Sequence, residues 1–205
     1  MKKNALCINV SFILLVALLY LSCNETSADT KAPIVEKHEL GQSELISRGK
    51  YIVSTSGCND CHSPKIITPK GPMIDSTKML SGHPQGSPLP PIDKNALKPG
   101  NWVLMMPDLT AAVGPWGITY SANLTPDTTT GIGAWTEPDF IATMRTGRHL
   151  GHENGRPIMP PMPWENLANM QDQDLKAVFA YLKALPPINN RVPTNLSPDD
   201  AAKMK

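Results

Sequence analysis

The clearest helical pattern of apolar and polar residues lies near the C-terminal end of the chain, between Asp172 and Leu185. Apolar side chains recur there at intervals that place them on one face of a helix: Leu175, Val178, Phe179, Leu182 and Leu185. Acidic residues open the segment and Pro186-Pro187 follow it, as expected at the two ends of a helix. The pattern therefore predicts a helix over residues 172–185 with one buried face.

Two further stretches favour helices. Between Glu44 and Ser54, apolar residues are interspersed with charged ones, which is consistent with a helix that runs towards Cys58. Thr136 precedes an early proline and two acids, a combination typical of a helix start, and Gly147 suits the end of that helix. The apolar side of this second helix consists of Phe140, Ile141 and Met144.

The region between these stretches, residues 63–134, has no sustained periodicity and is rich in Pro, Gly, Ser and Thr. We expect loops and short turns there. A loop region of this length in a compact domain usually has a functional reason or packs around something. We expect an all-α fold class, with an enlarged loop region over residues 63–134.

The N-terminal residues form a leader that precedes the folded part. Lys2 and Lys3 stand before an almost wholly apolar stretch from Ile8 to Leu21, which is the order of a secretory signal peptide. An uncleaved membrane anchor is the alternative, although the stretch is short for a spanning helix. A small residue directly before Cys23 resembles a bacterial lipoprotein processing site, at which Cys23 becomes the lipidated first residue. Plain cleavage nearby is the alternative, because Tyr20 stands where an aliphatic residue is usual.

We therefore divide the chain into a signal peptide over residues 1–22, a flexible polar tether over 23–42, one folded domain over 43–193 and a C-terminal tail over 194–205. Removal of Lys2 and Lys3 leaves 17 basic residues against 18 acidic ones. A chain so close to neutrality gives no electrostatic basis for binding nucleic acid.

Only two of the four cysteines, Cys58 and Cys61, belong to the predicted folded domain, within the string Cys58-Asn59-Asp60-Cys61-His62. C-x-x-C-H is the attachment signature of c-type haem. The spacing lets both thiols reach the vinyl groups on one edge of a porphyrin. It also carries His62 beneath the ring, where the imidazole can bind iron. Covalent attachment in bacteria follows secretion, in agreement with the leader.

Three other interpretations of this string are open. A structural zinc site needs about four protein ligands, and the sequence has no second cysteine pair. A thioredoxin-like redox pair expects a strand followed by a helix, and the pattern around Cys58 gives no such arrangement. The third is a chance occurrence of the pentapeptide. The predicted export of the chain favours haem.

A candidate for the sixth iron ligand lies in the proline-rich run from Arg156 to Trp164, which contains Met159 and Met162. Prolines fix backbone torsions, so a methionine in this run is positioned at little cost in conformational entropy. His/Met ligation raises the reduction potential relative to His/His ligation. Core filling is the alternative role of these methionines, because the chain has ten. A His/His site through His149 or His152 is the alternative ligation.

Further motifs accompany the attachment string: Arg48-Gly49-Lys50-Tyr51, Asn123-Leu124-Thr125-Pro126-Asp127, the segment from Thr130 to Thr136, Met162-Pro163-Trp164, and Asp174-Leu175 to Tyr181-Leu182. Together they resemble single-haem cytochrome c domains, similar to those in the cytochrome subunits of bacterial alcohol and gluconate dehydrogenases. The resemblance covers residues 44–193. It implies a class I-like cytochrome c fold, in which helices surround one haem.

The resemblance also implies roles for individual residues. The methionine of the Met-Pro-aromatic string is the distal iron ligand in that family, which assigns Met162, with Met159 as the second choice. The first and last helices would cross closely at Gly49, with Tyr181 packed against it. Trp135 and Trp164 could cover the haem or donate to its propionates, and burial in an ordinary core is the alternative for both.

The implied function is electron transfer without catalysis. The dehydrogenase subunits carry several attachment motifs, whereas this chain has one, so we expect a self-contained carrier with one covalent haem c. It would work on the periplasmic side of a bacterial membrane, held by a lipid on Cys23. A dehydrogenase or a terminal oxidase would be its redox partner. The alternative is a haem enzyme or gas sensor of peroxidase-like type with an open distal site, for which His149 and His152 are the candidate distal groups.

Overall fold

The computed structural model describes residues 40–204, so the predicted signal peptide, Cys23, most of the tether and Lys205 lie outside the described residues. The described chain forms six α-helices: α1 Gln42–Thr55, α2 Cys58–His62, α3 Glu137–Thr146, α4 Trp164–Leu167, α5 Asp172–Lys183 and α6 Pro198–Ala202. It also contains five short strands: β1 Lys65–Thr68, β2 Gly71–Ile74, β3 Leu104–Met105, β4 Ala111–Gly114 and β5 Gly117–Tyr120. Over residues 40–204, none of the helices combines the length and the apolarity that a membrane span requires.

The three helices predicted from periodicity and end signals are confirmed as α1, α3 and α5. Helix α3 begins as its sequence indicates, because the Thr136 hydroxyl accepts a hydrogen bond from the Asp139 amide and the Asp139 carboxylate accepts one from the Thr136 amide. This reciprocal pair satisfies two amides that a helix start otherwise leaves without partners. Gly147 follows the last residue of α3 in a left-handed conformation, as predicted for its end.

Helices α1 and α5 cross at Gly49, as the sequence resemblance implies. A Cβ atom on Gly49 would lie 1.9 Å from the Ala177 carbonyl oxygen and 2.8 Å from the Tyr181 Cβ, so no side chain fits at this position. On the solvent side of the same pair of helices, Arg48 Nε lies 3.0 Å from the Asp174 carboxylate. The glycine therefore sets how closely the two helix backbones approach.

The main hydrophobic core lies around this crossing. Its buried members come from α1, α3, α5 and two connecting segments: Ile52, Val53, Leu80, Ile132, Phe140, Met144, Leu175, Val178, Phe179, Tyr181 and Leu182. The rings of Phe140 and Phe179 join α3 to α5 at a centroid distance of 5.3 Å. The apolar stripe predicted for α5 therefore faces the core.

The expectation of an all-α fold is wrong. All five strands of the described chain lie in the region over residues 63–134 for which we expected loops and turns. Strands β1 and β2 form one antiparallel hairpin, and β3, β4 and β5 form an antiparallel sheet in that order. The strands are only two to four residues long. An alternating apolar pattern cannot stand out over so few residues, which is why periodicity does not predict them.

Two of the hairpins turn through the same short sequence, Pro-x-Gly. Pro69-Lys70 connects β1 to β2, and Pro115-Trp116 connects β4 to β5. The glycine that follows each turn, Gly71 in one and Gly117 in the other, has a φ of +102°. Proline at the second position and glycine at the fourth favour a tight turn, so this repeat was the available sequence signal for the hairpins.

Residues after position 193 fold back onto the sheet of β3, β4 and β5. The backbones of Leu196 and Ile118 exchange two hydrogen bonds of 3.0 Å. Ala201 on α6 is fully buried in a second small hydrophobic cluster, together with Ala96, Val113 and Ile118. The predicted C-terminal tail thus contains helix α6, and its residue Ala201 completes a second small hydrophobic core.

We expect Gly49→Ala to destabilise the protein by about 3 kcal/mol or more, because the added methyl group must push α5 away from α1. Guanidinium-induced unfolding of the purified protein measures this cost. Lys50→Ala is the matched control, since Lys50 is the next residue of α1 and is exposed. A change of less than about 0.5 kcal/mol for Gly49→Ala, the range of ordinary surface substitutions, would contradict the close crossing.

Candidate functional site

The attachment string forms a short helix directly after α1. Cys58 opens helix α2 and His62 closes it, with Cys61 one turn after Cys58. Neither cysteine is in a disulfide, and both are partly exposed. Burial raises the pKa of both thiols. The element before α2 is a helix, whereas a thioredoxin-like redox pair follows a strand. The two thiols are therefore presented together at the surface of the core.

The His62 imidazole is buried, with 8 % of the residue exposed. Its Nδ1 donates a hydrogen bond of 2.8 Å to the carbonyl oxygen of Ala122. A carbonyl can only accept, so Nδ1 carries the proton and Nε2 of the neutral ring carries a lone pair. Burial lowers the pKa of His62, against a smaller opposing effect of the hydrogen bond. A neutral, oriented imidazole with a free Nε2 lone pair has the chemistry of an iron ligand, so His62 fits a haem attached at Cys58 and Cys61.

The Ala122 carbonyl is fixed in turn by buried amide side chains. The Asn123 Oδ1 accepts hydrogen bonds from the amide and hydroxyl of Thr125, at 2.9 and 2.7 Å. The Asn123 Nδ2 donates to the Ile188 carbonyl at 2.8 Å. The role of Ala122 cannot be predicted from its side chain, because the hydrogen bond to His62 uses the backbone oxygen of Ala122. The adjacent Asn-Leu-Thr-Pro-Asp motif is the sequence feature that marks this segment.

Met159 and Met162 lie in a loop between α3 and α4, and both are partly buried. The Met162 amide donates to the Met159 carbonyl at 3.3 Å, and the Trp164 amide donates to the Met162 carbonyl at 2.9 Å. The Trp164 ring lies against Gly147, where an added Cβ would be 2.4 Å from the ring atom Cε2. The loop with both methionines is therefore packed against the C-terminal end of α3.

Trp135 packs against the main core and contacts His149. The two rings meet edge to face, with centroids 5.3 Å apart. Burial lowers the pKa of His149, and the nearby Arg156 and His152 add to that effect. His152 is exposed. Of the two histidines weighed as distal groups, only His149 is thus held by packing.

Sequence reasoning assigned no role to a second buried histidine, His83. Its Nδ1 lies 2.8 Å from the Thr110 hydroxyl, which also bonds the Asp108 carboxylate at 2.9 Å. Its Nε2 has no hydrogen-bond partner among the described residues. The Asn190 Nδ2 donates to the His83 carbonyl at 2.9 Å. These contacts link the segment around His83 to the same C-terminal residues that hold Asn123.

We expect Asn123→Ala to destabilise the protein by about 2 kcal/mol or more, because the buried amide and hydroxyl of Thr125 lose their acceptor. The midpoint and slope of guanidinium-induced unfolding measure this effect. Asn101→Ala is the control, since Asn101 is exposed. Equal stability of the two variants would mean that the buried amide network does not fix the Ala122 segment.

Comparison with known proteins is consistent with this geometry. The family model for cytochrome c matches residues 46–186. The gluconate 2-dehydrogenase cytochrome c subunit of Pantoea cypripedii is 31 % identical over 137 residues, which are 67 % of this chain and 22 % of the relative. The alcohol dehydrogenase (quinone) cytochrome c subunit of Gluconobacter oxydans is 28 % identical over 137 residues, again 67 % of this chain and 20 % of the relative.

A nicotinate dehydrogenase subunit of Pseudomonas putida is 38 % identical over a shorter stretch of 81 residues, which is 40 % of this chain and 7 % of that protein. The matched region thus spans less than a quarter of the length of these relatives. The family resemblance read from the motifs is confirmed. The match to the family model extends from α1 to the residues just after α5, and this chain belongs to the cytochrome c family.

Proposed function

We propose that this protein is an exported carrier of single electrons, with one haem c bound to Cys58 and Cys61 and with His62 and Met162 as iron ligands. The observation that carries the proposal is the buried His62 ring, whose Nδ1 proton is held by the Ala122 carbonyl so that Nε2 is left to bind a metal. Membership of the cytochrome c family implies a covalently bound haem c and a role in electron transfer. Bound haem supplies an iron that changes by one charge between its ferrous and ferric forms.

Each side chain has a distinct task in this proposal. Cys58 and Cys61 hold the porphyrin by two thioether bonds, in which each thiol adds its sulfur and its proton across one vinyl group. His62 enters as a neutral ligand, because its buried ring disfavours the imidazolium form. The Met162 thioether is a soft ligand that favours the ferrous form and so raises the reduction potential. Trp135 and Trp164 would exclude water from the haem, in agreement with their partly buried positions.

A single haem agrees with the single C-x-x-C-H string in the sequence. The haem domain, which matches only a part of the longer cytochrome subunits that resemble it, is the working part of the proposed carrier. No substrate is needed for this role, since only an electron enters and leaves.

The redox partner in this proposal is a dehydrogenase or a terminal oxidase. Relatives that belong to gluconate, alcohol and fructose dehydrogenases favour the first of these. The leader pattern supports export to the periplasmic side of a bacterial membrane, and Cys23 supports a lipid anchor there. A lipid at Cys23 and the polar residues up to position 42 would keep the haem domain near the membrane surface.

Covalent attachment is tested by pyridine haemochrome analysis of protein made with the bacterial haem-attachment machinery. We expect one haem per chain, retained after extraction with acidified acetone. The double variant Cys58→Ala and Cys61→Ala should release all of its haem, because no thiol remains for attachment. Cys23→Ser is the control and should keep the full haem content. A wild-type protein that loses its pigment to acidified acetone would refute the proposal.

The distal ligand is tested by the weak red-end absorption band that arises from sulfur-to-iron charge transfer in the oxidised protein. Met162→Ala should abolish this band, because the thioether that donates the charge is removed, while Met159→Ala should keep it. Loss of the band only in Met159→Ala would transfer the assignment to Met159. A wild type without the band would instead favour the enzyme or sensor with an open distal site, near His149.

A further inference from the structure

The C-terminal end of α3 contacts the chain that follows the methionine loop through one arginine. Arg145 Nη1 donates to the Ala168 carbonyl, and Nη2 donates to the Met170 carbonyl at 2.7 Å. Nη2 also lies 2.5 Å from the Asp172 carboxylate. One guanidinium therefore binds two carbonyls of the connection between α4 and α5 and the carboxylate of the first residue of α5.

The same end of α3 holds the loop on its other side. The Ile158 amide donates to the Gly147 carbonyl at 2.8 Å. The Trp164 ring covers Gly147 so closely that a methyl group there would overlap it. Residues 145–147 are thus in contact with the chain both before Met159 and after Met162.

Between these anchors the loop has little else to fix it. In the part of the chain that the structure describes, the hydrogen bonds of residues 159–162 join Met162 to Met159 and Trp164 to Met162. Pro160 and Pro161 have no amide proton to donate. Proline stiffness preserves the shape of the loop, but its position relative to the core depends on the two anchors.

We propose that Arg145 is a positioning residue that sets how firmly the distal methionine is held at the iron. This inference rests on the proposed His/Met ligation through Met162. The guanidinium fork satisfies three acceptors at once with fixed geometry, so it opposes any movement of α4 away from α3. These three contacts of Arg145 are called the clamp below. When the clamp is removed, α4 and the loop before it shift together, and an external ligand replaces the Met162 thioether more easily.

Arginine is required in this role, because a lysine ammonium is a single point on a flexible stem. Arg145→Lys would keep the charge near Asp172, but it cannot bind the Ala168 and Met170 carbonyls with a planar fork. The lysine variant should therefore lie between the wild type and Arg145→Met. This order separates the effect of the clamp from that of the charge alone.

The test is the affinity of imidazole for the oxidised holoprotein. Imidazole is titrated, and its binding is measured by the loss of the sulfur-to-iron band. Arg145→Met should bind imidazole at least about tenfold more tightly than the wild type, a factor that corresponds to about 1.4 kcal/mol. Arg48→Met is the matched control, since Arg48 also pairs with an aspartate of α5, at 3.0 Å, but binds no carbonyl near the loop. It should leave imidazole affinity within about twofold of the wild type, whatever its effect on unfolding.

Unchanged imidazole affinity in both Arg145 variants would overturn the inference while leaving the His/Met assignment intact. An equal increase in Arg145→Met and Arg48→Met would overturn it too, because general destabilisation would then explain the result. If Arg145→Met fails to fold, Arg145→Lys decides the matter, and a wild-type affinity in that variant refutes the clamp. Absence of the sulfur-to-iron band from the wild type would refute the proposed His/Met ligation, and the inference about Arg145 would be refuted with it.

Discussion

The hydrogen bond from His62 Nδ1 to the Ala122 carbonyl is the interaction on which the candidate site depends. A peptide carbonyl neither titrates nor rotates independently of its chain, so it fixes both the tautomer and the plane of the ring. Its two partners are 60 positions apart in sequence. The motif Cys-x-x-Cys-His is local, but the orientation of its histidine is therefore a property of the whole fold.

The segments that fix this bond form a closed circuit. Helix α1 leads into the attachment helix, and α1 crosses α5 at Gly49. In the chain after α5, the Ile188 carbonyl accepts a hydrogen bond from the Asn123 side chain, and the Asn190 side chain donates one to the His83 carbonyl. Asn123 adjoins the carbonyl that holds His62. The hydrogen bonds of this circuit are buried or partly buried and share residues, so loosening one of them affects the next.

The sequence predicted those parts of the structure that depend on side-chain identity at short range. Periodicity and end signals located α1, α3 and α5, and the family resemblance located the crossing at Gly49. Two kinds of feature escaped prediction. Strands of two to four residues are too short for the alternation of apolar and polar residues to be recognised. The role of the Ala122 carbonyl left no mark in the sequence, because every residue has a backbone carbonyl. The ligand roles of His62 and Met162 remain predictions from the motifs.

Residues 65–121, which contain all five strands of the described chain, begin and end beside the site. Of the nine exposed large apolar residues in the described chain, eight lie at positions 66–74 and 102–105 of this region. The region starts at Lys65, whose ammonium donates to the carbonyls of Asp60, Ser63 and Asp108. It ends beside Ala122, which holds His62. Because both ends of the region are held at the site, the hairpin and the sheet between them can expose apolar residues to water while the imidazole stays in place, and the sheet keeps a small core of its own.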